Sequence, residues 1–306
     1  MKRALEPRGG DSFATVVSST LLIRIAGLTL GVNSPEDGPG IVVSDAAGAF
    51  VVNSGIPDVT LNVTWGEIDS SPGGRLLFDS GGVWMLREER DWLCYSFSSP
   101  TLGGVYRKAV FDREFRRGVI TLDRAKFERR PVPYPLEYPL DELVVINRLA
   151  LADGIEVHGC GIVDTNGRGY LFAGQSGAGK STIARLWSAA GATVLSDDRV
   201  VLRNDGDGVV MHGTPWHGDA AYAEPRSAPL TGILFLRQAP LHGIVPLLAA
   251  HAGGLLFSCA FPVFHSARAL ERNLAFIERT VSTVPVVALE FAASPDVVSF
   301  VRRAHL

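Results

Sequence analysis

The sequence predicts an α+β protein, α/β in character in its second half. A β-rich accessory or recognition domain is expected over residues 1–135, and a phosphate-loop domain built on a mixed sheet over residues 136–306. Three observations predict this. Short runs of alternating apolar and polar residues fill the first 130 positions. Four prolines then fall within ten residues, PVPYPLEYPL at 131–140. Beyond them, strand-like and helix-like runs alternate around a glycine-rich loop, GQSGAGKST at 174–182.

Bulk properties set the frame. A chain of 306 residues suits one large or two ordinary domains, and 46% hydrophobic with 20% charged residues suits a globular protein with a core. A net charge of −3 argues against nucleic-acid or anionic-membrane partners. Cys94, Cys160 and Cys259 lie far apart, without metal-type spacing, and read as reduced buried thiols of a cytoplasmic protein. The N-terminus starts basic and turns apolar, but Arg24 interrupts the apolar run, so TLLIRIAGLTLGV reads as strands rather than a signal peptide. From Ala239 to His265 no Asp, Glu, Lys or Arg occurs. Pro246, Gly253–Gly254 and Pro262 break that stretch, which reads as a buried strand and helix rather than a membrane span.

In the first half, DVTLNVTWGEI alternates as a strand should. Residues 75–99 hold two strand-like runs around a Ser80-Gly81-Gly82 turn, and VYRKAVFD and GVITLD continue the pattern. An antiparallel sheet or sandwich is expected. The prolines at 131–140 remove backbone donors and mark the domain boundary. Asp141 reads as the N-cap of a helix ending at Gly154. IEVHGCGIVD and YLFAG are strands about an Asn-Gly turn, and a helix follows the glycine loop from Lys180 to Ala190. TVLSDD, RVVLRN, VVMHGT and GILFLRQ read as strands. SARALERNLAFIERTVSTV reads as a helix, PVVALEF as a strand, and SPDVVSFVRRAHL as a closing helix capped by Ser294.

The loop fits G-x-x-x-x-G-K-[ST], with Gly174, Gly179, Lys180 and Ser181 at the fixed positions. Glycines let the backbone fold tightly, so that N–H groups point inward at anionic oxygens, and the following helix adds its positive end. Gly174, Ser176, Gly177, Ala178, Gly179, Lys180, Ser181 and Thr182 are therefore the candidate nucleotide-binding residues. Lys180 would reach the outer phosphates of ATP, and the Ser181 hydroxyl would hold Mg²⁺. No transporter-type LSGGQ segment and no NKxD-type guanine motif accompanies the loop.

Asp197 and Asp198, in VLSDDRVVL, follow an apolar strand one helix after Lys180. Adjacent carboxylates at a strand end point to different sides. One can face a metal while the other faces an incoming nucleophile; a solvated acidic turn is the plain alternative.

VHGCGIVDTNGRGYLFAGQSGAGKST followed by LSDDRVVL resembles the catalytic domain of the HPr kinase/phosphorylase family, over about residues 150–240. That resemblance implies a P-loop kinase domain of the HPr kinase/phosphoenolpyruvate carboxykinase type. It implies Asp197 as the base that deprotonates a serine hydroxyl, Asp198 as a metal ligand, and His158 beside the base. An ordinary half-buried strand histidine is the alternative for His158. MHGTPWHGDA offers Trp216 and His217 as lining of an acceptor pocket, Trp216 reading slightly better as structural. Arg199 and Arg226 read as surface arginines. The first half does not look like the regulatory domain of HPr kinases, and the C-terminal signature tied to HPr binding is missing. The chain is more similar to HPr-kinase-like proteins found with ribosomal-peptide and lasso-peptide modification systems.

The expected function is thus Mg²⁺- and ATP-dependent transfer of phosphate to a hydroxyl, with a serine of a peptide or protein as the acceptor. A kinase of a small metabolite such as free serine, and a nucleotide-binding module with little turnover, are the alternatives. A homo-oligomer is left open.

Overall fold

β-Structure dominates the computed structural model, which describes residues 14–43, 45–69, 73–127 and 134–304. The basic start of the N-terminal segment, the first prolines of the expected boundary and the last two residues of the closing helix lie outside the described residues. The chain divides into two compact units, Met1–Ile23 with Thr29–Glu137, and Arg24–Leu28 with Tyr138–Leu306.

The first unit holds β1 (Ala14–Ser18), β2 (Thr20–Ile25), β3 (Leu28–Asn33), β4 (Ile41–Val43), α1 (Asp45–Gly48), β5 (Val59–Gly66), β6 (Arg75–Asp79), β7 (Trp84–Glu89), β8 (Trp92–Ser99), β9 (Gly104–Asp112), β10 (Arg117–Asp123) and α2 (Arg124–Phe127). Eight strands form one sheet in the order β2-β3-β5-β10-β9-β8-β7-β6. It is not purely antiparallel, because β5 runs parallel to both β3 and β10. Residues 75–99 make three strands rather than two. Arg90, at φ 54°, supplies a second turn that sequence patterning did not mark. Tyr95, Phe97, Phe111 and Phe115 are fully buried and pack on one another.

The second unit holds α3 (Leu140–Leu151), β11 (Gly154–Val163), β12 (Gly169–Ala173), α4 (Lys180–Ala189), β13 (Thr193–Ser196), β14 (Arg199–Asn204), β15 (Val209–His212), β16 (Ser227–Gln238), β17 (Gly243–Pro246), α5 (Ala249–Cys259), α6 (Ala267–Thr283), β18 (Val286–Phe291) and α7 (Asp296–Arg303). The two longest strands each change partner along their length. β11 pairs with β14 through its first half and with β12 through its second. β16 pairs with β15 at its start and in parallel with β12 further on. The β14–β15 hairpin links the two, so β12, β11, β14, β15 and β16 close into a five-stranded barrel. β18 and β17 extend the sheet from β16.

This corrects the fold class expected from the sequence, an α+β or α/β chain with a β-rich domain followed by a P-loop kinase domain on a mixed sheet. The protein is mostly β, with 41% strand against 25% helix, and no clear P-loop α/β kinase domain is present among the described residues. The physical reason lies just after α4. In a doubly wound fold, the strand after the helix would lie parallel to the strand before it. Here β13 does run in the sense of β12, the strand before the helix, but β11 lies between them antiparallel to both, and β14 continues along β11. The strand–loop–helix element therefore crosses an antiparallel strand of a sheet that closes on itself, not a layer of parallel strands.

Closure needs small residues where strands curl inward. A Cβ on Gly161 would lie 3.0 Å from Val200 Cγ2 and 3.1 Å from Met211 Sδ. Strand alternation sends Leu171 and Ala173 into one core with Leu195, Val200 and Ile233. Tyr170 and Phe172 enter another with Trp187 and Val298.

Local expectations also shift. Asp141 lies in the first turn of α3, behind Pro139, and its Oδ1 accepts the Glu142 N–H at 2.7 Å. The helix ends at Leu151. Asp153, at φ 54°, takes the left-handed position, and Gly154 opens β11. The residue preceding α7 is Pro295, and no side chain caps it, so Ser294 is not the cap. Ser266 does cap α6, accepting the Ala269 N–H at 3.3 Å. The uncharged stretch 239–265 contains β17 and α5, and no helix among the described residues is long and apolar enough to cross a membrane.

Arg302 of α7 donates Nη2 to Asp164 Oδ1 at 2.6 Å and Nε to Oδ2 at 3.1 Å. Burial pulls the Asp164 carboxyl up, but the hydrogen bonds and charge of Arg302 outweigh it and hold it below the usual carboxylate value. A carboxyl depressed in the folded state stabilises above its unfolded pKa and loses that contribution as pH falls through the folded one. Arg302→Ala is expected to cost about 1–3 kcal/mol at neutral pH. The loss should shrink on acidification below about pH 4, in urea melts run across pH.

Candidate functional site

The glycine loop joins β12 to α4. Gly174, Gly177 and Gly179 have φ of 157°, 83° and 109°, values that other residues rarely adopt. A Cβ on Gly179 would also lie 2.6 Å from Phe291 Cζ. Ile183 donates to Gly179 O at 2.9 Å. The N–H groups of Gly179, Lys180, Ser181 and Thr182 precede that bond and have no partner within the helix. Gln238 Nε2 ties down the loop tip at Gly177 O, 2.9 Å away. Ser176 and Gly177 are exposed, while Ala178, Ser181 and Thr182 are half-buried.

Lys180 is 7% exposed and folds back on the loop, donating Nζ to Gly174 O at 2.9 Å and Gln175 O at 3.1 Å. Burial lowers its pKa, against the opposing pull of Asp198. The cation thus lies against the carbonyls of its own loop.

Asp197 and Asp198 occupy the break between β13 and β14. Those strands run along β11 in one register, Gly161 facing Ser196 and His158 facing Arg199. The acidic pair therefore lies opposite Gly159–Cys160, and Gly159 donates to Asp198 O at 3.0 Å. The two carboxylates diverge. Asp197 is 2% exposed and accepts three backbone N–H groups: Gly218 (3.0 Å) and Tyr222 (3.3 Å) on Oδ1, and Ala220 (3.0 Å) on Oδ2. The sequence resemblance implies a base at this position; in the structure its oxygens are committed to holding the 218–222 turn.

Asp198 is half-buried. Its Oδ1 lies 3.0 Å from His158 Nδ1, and its Oδ2 accepts Arg199 Nη1 at 2.7 Å. Burial raises its pKa, but the His158 hydrogen bond and the charges of Arg199, His158 and Lys180 outweigh it and hold the carboxyl below its ordinary value. His158 Nδ1 also lies 3.1 Å from Asp198 O. Arg199 Nη1, which can only donate, lies 3.0 Å from the same nitrogen, so Nδ1 has two Asp198 acceptors and one donor around it. No hydrogen bond to Nε2 from the described residues is present.

Sequence reasoning missed what lies beneath. Arg199 is a buried cation, donating Nε to Glu142 Oε1 at 2.9 Å, near Glu156 Oε1 at 3.3 Å, with Cζ 4.4 Å from the Phe261 ring centre. Glu156 is 1% exposed, and burial followed by the neighbouring Glu142 pushes its carboxyl well up. The available signal was the spacing Glu156-x-His158, which puts both side chains on one face of β11.

The MHGTPWHGDA turn is anchored to the same strands. Thr214 Oγ1 donates to Arg199 O at 2.7 Å, and Ser196 Oγ donates to Trp216 O at 3.2 Å. Trp216 is buried and His217 exposed. Arg226 Nη1 donates to Thr193 Oγ1 at 3.4 Å. Asp198 and His158 thus come together one strand away from the start of the loop, since Gly159 faces Ala173 and donates to Asp198 O, while Asp197 serves the turn beside them.

Residues 140–294, from α3 to β18, match the family model of SynChlorMet cassette protein ScmC. That span contains every side chain just described. No curated protein matches the chain. With just over half of its residues matched, the chain belongs to the ScmC family.

Proposed function

We propose that the protein transfers the γ-phosphoryl group of ATP to a hydroxyl, with a serine of a peptide or protein as acceptor. The observation that carries this is the place of Gly159 on β11, which faces Ala173, the last residue before the phosphate loop, on one side and donates to Asp198 O at 3.0 Å on the other. The resemblance of its motifs to HPr kinases supports the same reading.

The free N–H groups of the loop and Lys180 would hold the phosphates. With its Nδ1–H given to Asp198, His158 would take the acceptor's hydroxyl proton on Nε2. The new P–O bond forms to the acceptor oxygen as the bond to the β–γ bridging oxygen breaks, and ADP leaves. Asp197 holds the 218–222 turn instead of accepting this proton.

Among the described residues no three His, Cys, Asp or Glu side chains cluster as a metal nest. Mg²⁺ takes one or two protein ligands and completes its shell with phosphate oxygens and water. Ser181 and Asp198 would hold it, and it would supply positive charge against the transferring phosphoryl group. The three cysteines are buried and free, which supports a cytoplasmic setting.

A second reading, nucleotide binding with little turnover, is favoured by the engagement of Lys180 with the carbonyls of its own loop. One experiment separates the two. The protein, Mg²⁺ and ATP are incubated with peptides, proteins and free serine, and ADP release and acceptor mass are followed. Acceptor-dependent ADP release with a mass gain of one phosphoryl group is expected, and Lys180→Met should weaken ATP binding by about tenfold or more. ATP binding without ADP release for any acceptor would leave only the second reading standing. Transfer to free serine alone would make the protein a metabolite kinase.

A further inference from the structure

We propose that Arg237 is a phosphate-binding residue of this site, holding oxygens of a nucleotide's phosphate chain from the β16 side while the glycine loop holds them from the β12 side. That role rests on the loop being a phosphate cradle and needs no phosphoryl transfer.

Strand pairing sets the place of this residue. β12 and β16 run parallel, with Ala173 beside Phe235. Past that pair β12 gives way to the loop, while β16 continues through Leu236, Arg237 and Gln238. Neighbouring strands lie about 4.8 Å apart, so Arg237 stands next to the first residues of the loop. Both of its sequence neighbours lie against that loop. A Cβ on Gly174 would lie 3.7 Å from Leu236 Cβ. Gln238 Nε2 donates to Gly177 O at 2.9 Å.

The guanidinium is exposed and makes no hydrogen bond, ion pair or ring contact among the described residues. β18 places Glu290 beside it on the same face, but that carboxylate turns toward β17. A Cβ on Gly243 would lie 3.2 Å from Glu290 Oε2. Lys180, by contrast, already donates to Gly174 O and Gln175 O. Arginine offers five donors in a rigid fork that fits phosphate oxygens two at a time. The end of β16 therefore sets an uncommitted cation beside the loop and the N–H groups at the start of α4. That combination suits the dense negative charge of a polyphosphate.

Calorimetric titration with ATP and with inorganic tripolyphosphate, both in Mg²⁺, provides the test. Arg237→Gln should bind each about 10- to 100-fold more weakly than wild type, the range for loss of charge-assisted hydrogen bonds. Arg237→Lys keeps the charge without the fork and should fall between the two. Arg303→Gln removes the same charge at the end of α7, where the adjacent Arg302 binds Asp164 at the opposite end of β12 from the loop. It should bind both ligands within about twofold of wild type. Melting temperatures should match wild type, because both side chains are exposed. Wild-type affinity in Arg237→Gln would overturn the assignment, as would an equal loss in Arg303→Gln. A loss for ATP alone would overturn it too, by putting Arg237 on the adenosine rather than the phosphates. Wild-type protein that binds neither ligand would remove both this role and the phosphotransfer reading. Weakened binding of both ligands, with no acceptor ever phosphorylated, would support Arg237 and remove the phosphotransfer reading alone. Unchanged binding alongside transfer to an acceptor would do the opposite.

Discussion

Asp198→Asn is expected to lower phosphoryl transfer by about 10³- to 10⁴-fold, the scale set when an orienting carboxylate is replaced by an amide in serine proteases. The change is nearly isosteric, so the loss would come from chemistry rather than packing. Arg199 Nη1 donates at 2.7 Å to what is now Oδ2. In the variant, the amide oxygen must turn to Arg199, which leaves the NH₂ group facing His158 Nδ1. Two donors, that NH₂ group and Arg199 Nη1, then face Nδ1 and favour the ring proton on Nε2, the atom that should take the hydroxyl proton. ATP affinity without Mg²⁺ should stay within about threefold, because Lys180 and the loop remain. Initial rates with labelled ATP and a true acceptor provide the check, and rates within about tenfold of wild type would rule out the His158–Asp198 pair as the proton acceptor. A pH signature accompanies the change. The Asp198 carboxyl is held below its ordinary value. Its stabilisation is therefore present above the unfolded pKa of about 3.9 and lost as pH falls through the folded value. The variant should lack that component of acid sensitivity.

Asp197→Ala is expected to act on stability instead, by about 3–5 kcal/mol, as when one partner of a buried charged contact is removed. The carboxylate is 2% exposed and accepts the N–H groups of Gly218, Ala220 and Tyr222. Its loss strands three donors and frees a turn whose upstream residue Trp216 accepts the Ser196 hydroxyl. On the usual scaling for domains of this size, the melting temperature should fall by roughly 10 °C. Asp197→Asn keeps one acceptor oxygen and should cost only about 1–3 kcal/mol. Thermal and urea melts supply the numbers. Below its melting transition, Asp197→Asn should retain far more activity than Asp198→Asn. The reverse order would return the role of base to Asp197.

What could be read from the sequence, and what could not, divides along the range of the interactions. The bend at the loop needs residues with positive φ, and Gly177 and Gly179 supply them where they stand. The hairpin between β11 and β12 turns at Gly167, φ 83°, within the Asn-Gly pair that signals it. β-Strand alternation places Glu156 and His158 on one face. Expectations failed where local chemistry competed with context. Pro139 displaced Asp141 from the cap of α3, and Arg90 made a turn without glycine. The fold class failed for a larger reason. The helix after the loop is real, but whether its strands open into a parallel layer depends on β11 lying antiparallel between β12 and β13 and on β12 pairing with β16. Partners some sixty residues apart leave no periodic trace in either segment.

The sequence by itself determined the phosphate loop, the helix behind it and the acidic pair one helix later, because each depends on residues a few positions apart. Only the tertiary structure decided which carboxylate is open. Asp197 and Asp198 are adjacent in the chain, but one meets amides from 218–222 and the other meets His158 and Arg199. Closing the barrel brought those groups together, and burial gave each contact its strength.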